Sequence, residues 1–233
     1  MTRMSETPRP LRDSFENILI AVFLALLVRT YLVTGYKVPT SSMAPTLLPG
    51  DFIFAFRPPA GFKIPLTSLK LGVQVPERGE LMVFTFPDQP RTNYVKRVIG
   101  LPGDKVQMIE GRLVINDVPL NYVRLHQSAV TDLPSYDQYE VWEESSGDQR
   151  REIIQKRDER GKDFGPLIVP PDEVFVLGDH RDASDDSRYW GTVPTRRLEG
   201  RVLLIWLSLD WEKKWGENRF PSLRTDRLLT TVQ

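Results

Sequence analysis

The chain has 233 residues with 31 basic and 31 acidic side chains, so its formal net charge is zero and no global basic field exists to hold nucleic acid. It has no cysteine, which excludes disulfides, a thiol nucleophile, Cys-ligated zinc and iron–sulfur clusters. Only His126 and His180 offer imidazoles, so no metal site and no cofactor are expected. With 40% hydrophobic and 27% charged residues a packed core is within reach, and an excess of Pro (19) over Gly (15) points to many turns, as in a β-rich protein.

Residues 1–14 are polar and carry Arg3, Arg9 and Arg12. The one long apolar run follows, Ile18 to Val28, and continues past Arg29 through Thr30-Tyr31-Leu32-Val33. Eleven helical residues reach only about 17 Å, against a hydrocarbon core of roughly 30 Å. Counting from Phe15 to Tyr36 gives enough length if Arg29 snorkels to an interface. A cleavable signal peptide would need a small-x-small site, and none follows the run. A buried soluble helix would not be so uniformly apolar. The expectation is an uncleaved signal anchor over 15–36, a cytoplasmic segment 1–14, and an extracytoplasmic domain over 37–233.

The rest reads as short strands and turns. Phe52 to Phe56 follows a turn at Gly50-Asp51, and residues 57–79 read as a loop. Strands are predicted at Glu80 to Phe86 and Tyr94 to Ile99, with a turn at Leu101 to Asp104. Lys105 to Glu110 and Arg112 to Asn116 read as a hairpin across Glu110-Gly111, with a turn at Asn116-Asp117. Residues 124–172 are more polar and are expected to be an insertion with its own hairpin, Tyr139 to Glu144 and Arg151 to Gln155. Glu173 to Leu177 and Arg201 to Leu207 return to the core. No repeat or heptad pattern occurs.

A serine hydrolase needs an activated hydroxyl, a base and oxyanion donors. Val38 to Leu47 packs Thr40, Ser41 and Ser42 between two prolines, which stiffen a loop that can present a side chain. A plain Ser/Thr turn has the same composition. For the base, His180 has Asp179 and Asp182 beside it, as a triad would want. The other candidate is Lys96, in Tyr94-Val95-Lys96-Arg97-Val98-Ile99, where alternation puts Tyr94, Lys96 and Val98 on one face. If that face is buried, the ammonium is penalised and its pKa falls toward 8, leaving a neutral fraction to act as base. On a solvated face it would be an ordinary lysine, and spacing alone leaves both open.

Four segments together resemble the type I signal peptidases, the bacterial leader peptidase family. They are VPTSSMAPTLLPGD (Val38 to Asp51), RGELMVFTFP (Arg78 to Pro87), YVKRVIGLPGD (Tyr94 to Asp104) and GDHRDASDDSRYWGTVP (Gly178 to Pro194), in the family's order and preceded by an apolar anchor. The resemblance implies a mainly β fold: a coiled antiparallel sheet or barrel-like core with one N-terminal transmembrane helix and a small β insertion over 124–172. It also implies a membrane-bound serine endopeptidase that removes signal peptides from exported pre-proteins, seated by a single pass in the bacterial cytoplasmic (inner) membrane. Its partners would be signal peptides and membrane lipid, with no nucleic acid and no required accessory subunit.

Residue by residue, the resemblance makes Ser42 the nucleophile and Lys96 the general base. Thr40 and the Ser42 N–H would bind the oxyanion. Ser184 would orient the lysine, Asp186 and Arg188 would form a supporting charged pair, and Asp179 and Arg181 would have structural roles. Tyr36, Val38, Pro39, Met43, Leu47, Met82, Tyr94 and Val95 would line shallow pockets for small substrate side chains. The chain departs from the family in having Thr40-Ser41-Ser42-Met43 where many members have Ser-Gly-Ser-Met. If the second position needs positive φ, Ser41 is strained. His180 replaces a common Asn, and many relatives have two N-terminal spans where one is found here. The rival readings are a self-cleaving SOS-type Ser/Lys repressor, a catalytically silent membrane-tethered β-domain, and a Ser/His hydrolase using His180.

Overall fold

A computed structural model describes residues 10–63, 70–87, 89, 91–125, 138–157, 162–215 and 220–232. His126, Arg3 and Arg9 lie outside the described residues. Helix α1 (Pro10–Tyr31) is followed by β1 (Val33–Lys37), β2 (Asp51–Phe56), the two-residue strands β3 (Phe62–Lys63) and β4 (Lys70–Leu71), β5 (Leu81–Thr85) and β6 (Asn93–Gly100). Then come β7 (Lys105–Ile109), β8 (Arg112–Ile115), β9 (Val118–Pro119), β10 (Asn121–Arg124), β11 (Tyr139–Ser146), β12 (Gln149–Lys156) and β13 (Phe164–Ile168). The chain closes with β14 (Glu173–Leu177), the one-turn helix α2 (Ser187–Trp190), β15 (Val193–Pro194), β16 (Leu198–Trp215), β17 (Phe220–Leu223) and β18 (Thr230–Thr231).

The main sheet runs β1-β2-β16-β5-β6-β14-β15, with β17 and β18 also paired to β16. Its strands pair antiparallel, and the 18-residue β16 shifts register against β2 and β5 at three places. Such bulges bend a strand and raise its twist, which curls the sheet. The two faces carry separate cores. Leu81 and Val83 join Val38, Met43, Leu47, Ile53 and Ile205 on one face, while Met82, Phe84, Val98 and Val176 fill the other. That is why β5 is apolar from Leu81 to Phe84 instead of alternating.

Helix α1 ends at Tyr31, five residues before the expected end of the span. Residues Val33 to Tyr36 pair with β2 instead, since Val, Thr and Gly are poor helix formers and the β2 edge needs a partner. The helix still has 22 residues, or about 33 Å, and its Ser14–Tyr31 stretch has mean hydropathy 1.5 with no residue buried. An unburied apolar helix of that length fits a membrane anchor.

The region expected as an insertion over 124–172 reaches further back. Strand β13 pairs with β7 in a β13-β7-β8-β9 sheet, and β10 pairs with β11 in a β10-β11-β12 sheet, so the added layers begin at Lys105. Val106, Met108, Leu113 and Ile115 pack against Ile99, Phe175 and Leu177 of the main sheet. The β11–β12 hairpin puts Val141 and Ile154 against Ala44 and Leu48, inside the serine-bearing segment. The hairpin thus forms a floor beneath that segment.

Candidate active site

The serine segment leaves the sheet after β1 and returns at β2. Its neck is closed by Val38 N–H donating to the Asp51 carbonyl (2.8 Å) and Gly50 N–H donating to the Val38 carbonyl (2.9 Å). The buried Asp51 carboxylate accepts from Leu48 N–H (2.8 Å), Ser208 Oγ (2.6 Å) and Arg227 Nη2 (2.7 Å). Gly50 has φ +93°, and a Cβ there would lie 2.0 Å from the Leu209 carbonyl oxygen, so no other residue fits the neck. Met43, Ala44, Leu47 and Leu48 are buried and anchor the loop, leaving Ser42 half-buried above them. Ser41 is not among the residues with positive φ, so replacing glycine there brings no backbone strain.

Strand β6 supplies Lys96, directly across from Met82 on β5. The lysine is 3% exposed, and its Nζ donates to Ser42 Oγ at 2.7 Å. The Tyr94 ring centroid lies 5.8 Å from the same nitrogen. Burial lowers the Lys96 pKa from 10.5 to about 8, against the opposing pull of Asp186, Asp185 and Asp179. A minor neutral fraction is therefore present near neutrality, far more than an ordinary lysine has, with a lone pair able to accept the serine proton. Thr40 Oγ1 lies 3.3 Å from Ser42 Oγ. The Ser42 N–H has no acceptor among the described residues.

The loop after β14 holds the serine segment from the other side. His180 N–H donates to the Ser42 carbonyl (3.2 Å), and His180 Nδ1 is 3.3 Å from the Ser41 carbonyl. The imidazole makes no hydrogen bond to Ser42 Oγ, and burial lowers its pKa. Asp179 accepts from Arg97 at 2.9 and 2.7 Å and from Thr46 Oγ1 at 2.6 Å. Gly178 is packed so tightly that a Cβ would lie 2.2 Å from Ser184 Oγ and 2.4 Å from the Ser42 carbonyl oxygen.

Asp186 and Arg188 form a two-point pair, both contacts 2.8 Å, and Asp186 also accepts from Gly178 N–H (3.0 Å). Arg188 Nη2 donates to the Arg181 carbonyl (2.6 Å). Arg181 itself pairs with the buried Glu144 of β11 at 2.7 and 2.8 Å. Ser184 Oγ is buried and finds no hydrogen-bond partner among the described residues, so the expected bond from Ser184 to Lys96 is not formed.

A cleft of about 390 Å³ opens over the pair, lined by Tyr36, Lys37, Val38, Pro39, Thr40, Ser42, Met43, Val83, Thr92, Asn93, Tyr94, Val95, Lys96, Ala183 and Asp185. Leu47 and Met82, expected in its wall, are 0% exposed and lie outside it. Leu47 packs in the core beneath the serine segment. Met82, across from Lys96, is buried among Phe84, Val98 and Val176, and Val83 lines the cleft in its stead. A larger depression of about 500 Å³, rich in arginine, includes neither Ser42 nor Lys96. Its arginines face acidic partners, such as Arg78 with Asp104 and Arg201 with Glu80. No group of residues suited to hold a metal ion occurs among the described residues.

Arg97, Thr46, Glu144 and Asp185 are site residues beyond those expected from the sequence. Arg97 and Asp185 stand inside recognised segments, beside residues that were named. Glu144 gave no signal, because one acid in a polar hairpin looks like any solvated charge.

The family profile described as "Signal peptidase, peptidase S26" matches residues 11–207. Signal peptidase I of Buchnera aphidicola (subsp. Baizongia pistaciae) is 35% identical, over 84% of this chain and 76% of its own length. Signal peptidase I of Pseudomonas fluorescens is also 35% identical, over 87% and 72%. A crystal structure of a signal peptidase I from Enterococcus faecalis is 29% identical, with a TM-score of 0.34 over 54% of this chain and 95% of that one.

Proposed function

The chain belongs to the signal peptidase family, peptidase S26, and from that premise we propose that it cuts signal peptides from exported pre-proteins with Ser42 as nucleophile and Lys96 as general base. The observation that carries this reading is the 2.7 Å contact between a buried, pKa-lowered Lys96 and Ser42 Oγ. Neutral Lys96 takes the Ser42 proton as the oxygen attacks the scissile carbonyl, and then gives it to the leaving amine. Thr40 Oγ1 and the Ser42 N–H hold the oxyanion. A water deprotonated by Lys96 hydrolyses the acyl-enzyme.

Two open strand edges border the cleft. Among the described residues β1 pairs only with β2, and β14 pairs with β6 only at Arg97, Val98 and Gly100, leaving residues 93–96 open on the side away from β5. An extended substrate segment added there would be held by its backbone, whatever its sequence. Tyr36, Val38, Met43, Val83 and Val95 would then accept small side chains at alternate positions. Helix α1 would anchor the domain by a single pass in the bacterial cytoplasmic membrane, with the basic segment 1–14 on the cytoplasmic side.

The test is cleavage of a purified pre-protein in detergent by wild type, Ser42→Ala and Lys96→Ala, with folding followed by circular dichroism. Loss of cleavage in both folded variants, with the wild-type cut after a small-x-small site, is the expected result. Full activity in folded Lys96→Ala would sink the dyad.

A further inference from the structure

Asp185 stands in the cleft wall with no hydrogen-bond or ion-pair partner among the described residues. Its neighbours on either side turn inward: Ser184 is 6% and Asp186 0% exposed, and Asp186 is fixed by Gly178 N–H and the Arg188 guanidinium. Between those two anchors Asp185 is exposed and lines the same cleft as Ser42, Lys96 and Tyr94. It makes no hydrogen bond and no ion pair among the described residues. Its charge is nonetheless felt in the site, where it adds to the burial that raises the Tyr94 pKa and opposes the larger effect of burial that lowers that of Lys96.

The cleft is chemically two-ended. Tyr36, Val38, Val83 and Val95 belong to or pack on the apolar core at one end. Ala183 and Asp185 come from the loop after β14, which flanks β6 on the side opposite β5. The other exposed charge in the wall, Lys37, lies on β1 with its ammonium 4.9 Å from the Trp211 ring. Small side chains on the acyl side of the scissile bond suit the apolar end. The leaving segment must then run past Lys96 toward Ala183 and Asp185.

We infer that Asp185 selects substrates by charge on the leaving side of the scissile bond, favouring Lys or Arg among the first mature residues and disfavouring Asp or Glu there. The inference rests on the peptidase reading above. An unpaired carboxylate at a solvent-facing rim attracts or repels a nearby charge moderately, and salt screens it beyond about 8–10 Å. The expected discrimination is therefore about fivefold to tenfold, not absolute.

The experiment uses the full chain in detergent and one pre-protein in three versions, with Ala, Lys or Glu as the first mature residue. Their kcat/KM values are compared by competition for wild type, Asp185→Asn and Asp185→Lys. Wild type should prefer Lys over Glu about fivefold to tenfold. The ratio should fall to near one in Asp185→Asn, invert in Asp185→Lys, and shrink in 1 M salt. A wild-type ratio near one, or a ratio unchanged in Asp185→Asn, overturns the inference while leaving the peptidase reading intact. Failure of wild type to cut even the Ala version removes that reading, and the inference with it.

Discussion

Arg97 and Asp179 form a two-point ion pair beneath the site, Nε to Oδ1 at 2.9 Å and Nη2 to Oδ2 at 2.7 Å, with side chains 2% and 1% exposed. Arg97 follows Lys96 on β6, and Asp179 precedes His180, whose N–H holds the Ser42 carbonyl. Thr46 of the serine segment donates to the same carboxylate. One buried pair therefore ties together the three segments that meet at Ser42 and Lys96.

Removing one partner of such a pair strands a buried charge, at a cost of roughly 3–5 kcal/mol. Arg97→Met should lose stability of that order and most of its cleavage activity. Pairing it with Asp179→Leu removes the stranded carboxylate as well, so the double variant should lose less stability than the two single losses added together. Urea denaturation of the four proteins measures the coupling. Additive losses would mean that the two side chains act independently.

Burying Lys96 costs stability. Its folded pKa of about 8 lies below the ordinary 10.5, mainly because burial penalises the ammonium. The folded state thus binds this proton less well than the unfolded chain does. Stability from this group is full above the ordinary value, falls as pH drops from 10.5 toward 8, and is flat below. Lys96→Met should therefore be inactive yet more stable than wild type at pH 7, by roughly 2–3 kcal/mol, with the gain vanishing above the ordinary lysine pKa. In wild type, kcat/KM should rise with pH and level off above about 8. Denaturation midpoints of both proteins at neutral and alkaline pH, with a wild-type pH–rate profile, check both statements. A flat profile would count against a titrating lysine.

Much of the sheet was legible because its strands announce themselves locally. Phe52 to Phe56 is a short aromatic and apolar run behind the Gly50-Asp51 turn, Glu110-Gly111 and Asn116-Asp117 take the left-handed φ values that tight hairpin turns need, and the β11–β12 hairpin turns at Gly147. The end of α1 was not legible, because Leu32 and Val33 are as apolar as the helix and only pairing with β2 makes a strand of Val33 to Lys37. Met82 stands in a segment that resembles the family's and lies directly across from Lys96, but it is wholly buried with Phe84, Val98 and Val176, and Val83 and its partner Val95 line the cleft instead. The support of the serine segment by Val141 and Ile154 is a contact between distant stretches of chain, which no local pattern encodes.

Thr40 Oγ1 lies 3.3 Å from Ser42 Oγ at an exposed place in the cleft wall, where a hydroxyl can turn toward a developing oxyanion. Loss of one such donor typically costs 10²–10³-fold in kcat, or roughly 2.7–4 kcal/mol. Thr40→Val keeps the shape and should lose kcat on that scale with little change in KM. Thr40→Ser restores the hydroxyl and should recover most of it. Steady-state kinetics on one pre-protein separates the two parameters, and equal activity of the Val and Ser variants would remove Thr40 from the oxyanion site.

Glu144 joins the added layers to the site. It is 0% exposed and accepts from Arg181 at 2.7 and 2.8 Å, from Arg151 Nε at 2.6 Å and from the Tyr122 hydroxyl at 2.5 Å. Burial alone would raise its pKa, but the Arg181 and Arg151 guanidiniums outweigh that and hold it at about 2, against an ordinary 4.5. A depressed carboxylate stabilises the fold fully above its ordinary pKa, and that stability is lost as pH falls toward the folded value. Glu144→Gln would leave two guanidiniums buried with no counter-charge, so a loss of roughly 3–5 kcal/mol is expected near neutral pH. The loss should narrow between about pH 4.5 and 2, where wild type gives up the same interaction. Because Arg188 donates to the Arg181 carbonyl and also grips Asp186, the variant should lose kcat as well. Urea midpoints of both proteins from pH 7 down to 3, with cleavage rates at pH 7, decide the matter. A stability difference independent of pH would show that the Glu144 charge is not what holds the hairpin to the site.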